Sequence, residues 1–212
     1  MIRPEEADLL LAVDVQRDFC SGGALAVPDG DSVVAPINAL LAHFPHAAAT
    51  QDWHPPGHSS FASSHVGRRP FETIAVAYGS QVLWPDHCVQ GTEGADFHPA
   101  FHVERLELIL RKGFHQSVDS YSAFVENDKT STGLAGYLRE RGFRRVFLAG
   151  LALDYCVRFS TQDALRLGFE VAVVADACRA IDASAADALL DEFHRAGALV
   201  VSSSDITGGL HL

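Results

Sequence analysis

Six short apolar runs alternate with stretches of helical character, and this alternation constrains the fold more than any other feature of the sequence. The first run, Leu9–Val13 (LLLAV), is continuous, as in a parallel strand buried on both faces, and it ends at Asp14. Further strands are read at Ala47–Thr50, Glu107–Leu110, Val146–Ala149, Val171–Ala175 and Leu199–Ser202. Between them the pattern predicts four helices. These are Ser32–His43 with Asp31 or Ser32 as N-cap, Thr132–Arg141 stopped by Gly142, Asp154–Leu167 capped by Asp154 and stopped by Gly168, and Ala185–Ala196 with Ser184 as N-cap. Strand followed by helix, repeated, implies an α/β fold of three layers, with a mainly parallel sheet between two helical layers. Sites in such folds form at the carboxyl ends of the strands, where Asp14, Asp52, Lys112 and Cys156 would meet. Residues 55–104 break the pattern: rich in Pro and Gly, they predict long excursions with few regular elements.

A chain of 212 residues fits one domain over 1–212 with a single sizeable core. The formal net charge of -11, with no basic run, argues against nucleic acid or an anionic membrane as partner and leaves a small molecule. Monomer and homo-oligomer are both open. No apolar run reaches the ~20 residues that span a bilayer, and the opening MIRPEEADLL lacks the basic start of a secretion signal, so a cytoplasmic location is expected. The four cysteines form no C-x-x-C pair and read as free thiols. Cys20, Cys88 and Cys178 are expected to be structural, with Cys88 lying beside the site.

Cys156 is different, because VFLAGLALDYCVRFS runs from strand through a tight turn into a helix and sets the thiol in the helix's first turn. Helix N–H groups and the dipole there favour thiolate over thiol and can hold an oxyanion. A cysteine hydrolase also needs a base for the thiol proton and a positive group near the resulting anion, jobs that Asp14 and Lys112 can divide. His115, just past Lys112, is the histidine-based alternative.

In QDWHPPGHSS, Asp52 and His54 are two residues apart at the end of an extended segment, so both side chains point to one side. His87, in LWPDHCVQGTEGADFHP, completes a set of one carboxylate and two imidazoles. That mix fits one divalent ion, zinc, iron or manganese rather than calcium. His58 and Ser60 are close enough to be a further ligand or hydrogen-bonding supports of one.

Taken together, DVQRDFC, QDWHPPGHSSFAS, LWPDHCVQGTEGADFH, RKGFHQSVDSYSAF and GLALDYCVRFS, in this order over roughly residues 9 to 178, resemble the nicotinamidase/pyrazinamidase family. The resemblance implies an isochorismatase-like fold and hydrolysis of nicotinamide to nicotinate and ammonia in NAD salvage, with pyrazinamide as an alternative substrate. It implies Asp14, Lys112 and Cys156 as catalytic residues and Asp52, His54 and His87 as metal ligands, with zinc favoured. His58 matches a position that coordinates in some relatives. It also implies a cis peptide at Leu151–Ala152, an oxyanion hole of the Ala152 and Cys156 N–H groups, and ring contacts from Phe19, Trp84 and Tyr121. Leu153 departs from the family's frequent threonine, which touches substrate preference. The competing readings are another isochorismatase-like hydrolase, such as a carbamoyl-amidase or vinyl-ether hydrolase without this metal set, and a binding module that keeps the fold without turnover.

Overall fold

The computed structural model describes residues 2–208, so residue 1 and residues 209–212 of the expected 1–212 domain lie outside the described residues. Six strands form one parallel sheet: β1 (Asp8–Val13), β2 (Ala47–Asp52), β5 (Leu108–Lys112), β6 (Arg145–Leu151), β7 (Glu170–Arg179) and β8 (Leu199–Val201), in the order β5-β2-β1-β6-β7-β8. The continuous apolar run of β1 follows from burial on both faces. Leu10 and Ala12 join the apolar cluster under α1 (Val34–Leu41) and α5 (Ser203–Thr207). Leu9, Leu11 and Val13 join the cluster under α2 (Leu134–Arg141), α3 (Arg158–Arg166) and α4 (Ala186–Arg195). This is the three-layer α/β/α arrangement, with a core on each face of the sheet.

The chain leaves β1 towards β2 and β5, then crosses back to lay β6 against the other side of β1. That reversal is the switch point at which α/β sheets open a crevice. The register puts Asp52 opposite Lys112 on neighbouring strand ends, and Val13 opposite Gly150 across the switch. Gly150 has φ +124°, and a Cβ there would lie 2.1 Å from the Val13 carbonyl oxygen, so only glycine lets β1 and β6 approach so closely.

Several boundaries differ from the sequence reading. The first helix is preceded by a 3-10 turn at Gly30–Val33, and neither Asp31 nor Ser32 caps α1, because the Ser32 hydroxyl donates to the Asp29 carbonyl instead. Asp182, rather than Ser184, caps the turn that leads into α4 by accepting the Ser184 N–H. The excursion after β2 holds a two-stranded hairpin, β3 (Thr73–Val76) and β4 (Gly79–Val82), that periodicity does not reveal. Among the described residues no helix is long and apolar enough to cross a membrane.

Candidate active site

Four strand ends deliver the polar residues to one place. Asp14 follows β1 with φ +48°, its backbone N–H donating to the Thr50 hydroxyl (3.1 Å), which in turn donates to Asp14 Oδ1 (2.6 Å). Gln16 ties the same turn to β2, donating to the Asp52 carbonyl and accepting the Asp52 N–H, each at 2.8 Å. Lys112, at the end of β5, is fully buried, which a lysine tolerates only when its charge is paired. Its ammonium lies 2.9 Å from Asp14 Oδ2 and 3.5 Å from Cys156 Sγ, donates to the Ser120 carbonyl (2.9 Å), and forms a close ion pair with Asp52 Oδ1. Burial pulls the lysine towards neutrality, but the two carboxylates outweigh it and push its pKa well above the usual value.

Cys156 sits in a π-helical turn, Leu153–Val157, that precedes α3. Such turns frequently occur at functional sites. The expected cap is absent: the Asp154 carboxylate accepts the Ile181 (3.0 Å) and Asp182 (2.9 Å) N–H groups and so straps the turn to the loop after β7. Burial works against the thiolate that the helix end would favour. Burial first, and then the negative charges of Asp14 and Asp52, raise the Cys156 thiol well above its usual value despite Lys112. Burial thus favours the thiol over the thiolate, and removal of its proton calls for a base. Asp14, Asp52 and Cys156 have ligand atoms within 4.8 Å of one another, and burial raises the Asp14 carboxyl against the pull of Lys112. Asp14 Oδ2 is the one buried carboxylate oxygen among the described residues that accepts no hydrogen bond, although Lys112 lies beside it. His115 is half exposed and pairs with Glu126 (2.9 Å), so the histidine alternative is not assembled. The Leu151–Ala152 peptide is cis.

Beside this cluster, donor atoms of Asp52, His54 and His87 lie within 4.8 Å of one another, all three buried. Each imidazole is held in one tautomer: His54 Nδ1–H donates to the Gly113 carbonyl (2.9 Å) and His87 Nδ1–H to the Pro85 carbonyl (2.8 Å). Both Nε2 atoms face Asp52 Oδ2, at 3.4 and 3.8 Å, while the Nδ1–H bonds give the support that metal-binding histidines require. A Cβ on Gly113 would lie 2.5 Å from His54 Cε1, so the glycine leaves the ring its place. The set fits a divalent ion. His58 stands on the far side of His54, with Nε2–H donating to the His115 carbonyl (2.9 Å) and Nδ1 2.7 Å from the Ser60 hydroxyl. His58 and Ser60 thus satisfy each other, although His58 also shares a second cluster with His54 and Asp119.

Phe19, Trp84 and Tyr121 line one pocket with Asp52, His87 and Cys156. The Trp84 indole N–H donates to the Tyr121 hydroxyl (3.1 Å), which fixes both rings. The pocket is completed by Leu25, Asp119, Tyr155 and Ile181, which the sequence reading misses. Tyr155 could have been found, since it adjoins Cys156; the other three come from loops with no periodic signal. Leu153 is buried in the apolar core and does not line the pocket.

Residues 8–205 match the family model for the isochorismatase domain. The chain is 53% identical over 174 residues to the nicotinamidase of Acinetobacter baylyi, covering 82% of this chain and 81% of that one. It superposes on the Acinetobacter baumanii nicotinamidase/pyrazinamidase with a TM-score of 0.91 at 47% identity, covering 95% and 98% of the two chains. The pyrazinamidase of Pyrococcus horikoshii in complex with zinc gives a TM-score of 0.77 at 34% identity, covering 92% and 99%. A parallel sheet with a buried Asp, Lys and Cys at its switch point, matched over nearly the whole chain, makes this protein a member of the isochorismatase family on its nicotinamidase/pyrazinamidase branch.

Proposed function

We propose that the chain hydrolyses nicotinamide to nicotinate and ammonia through a thioester on Cys156, feeding NAD salvage, with pyrazinamide as an alternative substrate. The observation that carries this reading is the buried constellation of Cys156, Asp14 and Lys112, whose Cys156 lines the same aromatic pocket as Asp52 and His87 of the metal-binding set.

In this scheme Asp14 takes the thiol proton as the sulfur attacks the amide carbon, with Lys112 2.9 Å from its Oδ2 and 3.5 Å from the sulfur. The Ala152 and Cys156 N–H groups receive the developing oxyanion. Asp14 then hands its proton to the departing ammonia, and the thioester remains. The same carboxylate next takes a proton from water, whose oxygen attacks the thioester, and the proton returns to the released sulfur. Lys112 keeps the two carboxylates and the sulfur together throughout.

Asp52, His54 and His87 would hold a divalent ion, zinc being the one this donor set suits best, and the ion would supply a Lewis-acid site for the pyridine nitrogen. Phe19, Trp84 and Tyr121 offer apolar ring surfaces to the planar heterocycle. His58, held by Ser60, packs its ring against that of His54. The test is ammonia release from nicotinamide, pyrazinamide and an aliphatic amide, with nicotinate identified by chromatography. Release from both heteroaromatic amides, and little from the aliphatic one, is expected. No release from nicotinamide by the zinc-loaded enzyme overturns the reading.

A further inference from the structure

Outside the active site, a second group of side chains able to bind a metal converges from two loops. Cys20 follows β1, Asp31 lies in the turn before α1, and His98 belongs to the excursion before β5. One donor atom from each lies within 4.8 Å of the other two. Cys20 is 2% exposed, while Asp31 and His98 are partly open to solvent. Asp31 is already aimed: its Oδ2 accepts both the backbone N–H (2.8 Å) and the hydroxyl of Ser21, which leaves Oδ1 to His98 Nε2 at 3.3 Å. Orientation of a carboxylate from behind is what ligand carboxylates show. A cavity of about 350 Å³ reaches the group, and Asp18, Asp31 and Glu93 line it against one guanidinium, Arg17. The surroundings therefore attract a cation and leave room for water on it.

We propose that Cys20, Asp31 and His98 form a second divalent-metal site, selective for a thiophilic ion such as zinc or cobalt(II). Thiolate, imidazole and carboxylate are ligands of four-coordinate sites of these ions, with water in the open position. On binding, the Cys20 thiol proton is released to solvent. The His98 ring proton moves from Nε2 to Nδ1, which gives up the 3.2 Å contact from the Ala100 N–H. The ion would fasten the loop that carries Phe19 and Leu25, two walls of the substrate pocket. This site is independent of the amidase reading.

Equilibrium dialysis of the full chain against cobalt(II), with absorption spectroscopy, tests it. The Asp52, His54 and His87 set has no sulfur, so a thiolate-to-cobalt band in a Cys156→Ser background reports the second site. Two cobalt ions per chain and such a band are expected. Cys20→Ser and His98→Gln should each lose one ion, and Cys20→Ser should lose the band, with far-ultraviolet dichroism unchanged. One cobalt per chain without the band, or a band that survives Cys20→Ser, overturns the proposal.

Discussion

At the scale of single residues, the nucleophile's environment turns on burial winning over a favourable neighbour. Lys112 alone would lower the Cys156 thiol, yet desolvation and two carboxylates hold it up, so in the proposed scheme activation falls to Asp14. Asp14 is in turn held by one hydroxyl, that of Thr50. Thr50→Val removes a hydrogen bond to a buried acid and should cost about 1–3 kcal/mol of stability. It should lower kcat more than it raises KM, which denaturant melts and steady-state kinetics will read. Low reactivity is expected of two other buried thiols for a related reason. Burial, reinforced by Asp31, pushes Cys20 up to about 11, and burial pushes Cys178 up to about 12. In metal-free buffer at neutral pH, peptide mapping after iodoacetamide should find both unmodified in the folded protein and alkylated in the unfolded one.

At the scale of elements, strand ends and their spacing govern the site. Gly150→Ala would drive a Cβ into the Val13 carbonyl at a φ that L-residues rarely adopt, separating β1 from β6. A loss of more than about 3 kcal/mol, or no soluble protein, is the expected result. The opposite end of the sheet is pinned by His46, which precedes β2 and bonds Glu107 before β5 (2.8 Å) and Glu6 before β1 (3.2 Å). The Glu107 hydrogen bond, against a smaller burial effect and aided by Glu6, raises the His46 pKa above its ordinary value. A raised histidine stabilises the fold fully below its unfolded pKa and ceases to do so as pH rises through the folded one. The urea midpoint of the parent should therefore exceed that of His46→Gln by more at pH 5.5 than at pH 8.5. The strands themselves were legible because burial on both faces leaves continuous apolar runs. The hairpin β3–β4 was not, since its strands are only four residues long and its one fully buried side chain is the polar Gln81. The π turn was equally hidden, because its sequence reads as an ordinary helix start and only the strap from Asp154 to Ile181 and Asp182 distinguishes it.

At the scale of the molecule, one reversal of strand order brings together residues from positions 14 to 156, and the excursion between β2 and β5 adds His87 and Trp84. The motifs single out Asp14, Asp52, His54, His87, Lys112 and Cys156, and the structure brings these six together at the switch point. Their supports were not readable, because Gln16, Thr50, Ser120 and the carbonyls of Pro85 and Gly113 act by position rather than by residue type. Asp52, His54 and His87 belong to neither apolar core, so stripping a bound ion with a chelator should leave far-ultraviolet dichroism unchanged while abolishing nicotinate binding in calorimetry, and zinc should restore it. The central claim is that Cys156 is the nucleophile, and ammonia release from nicotinamide by Cys156→Ala at the parent's metal content tests it most directly. The account requires a fall of more than about a thousandfold with the fold intact; activity within tenfold of the parent would contradict it.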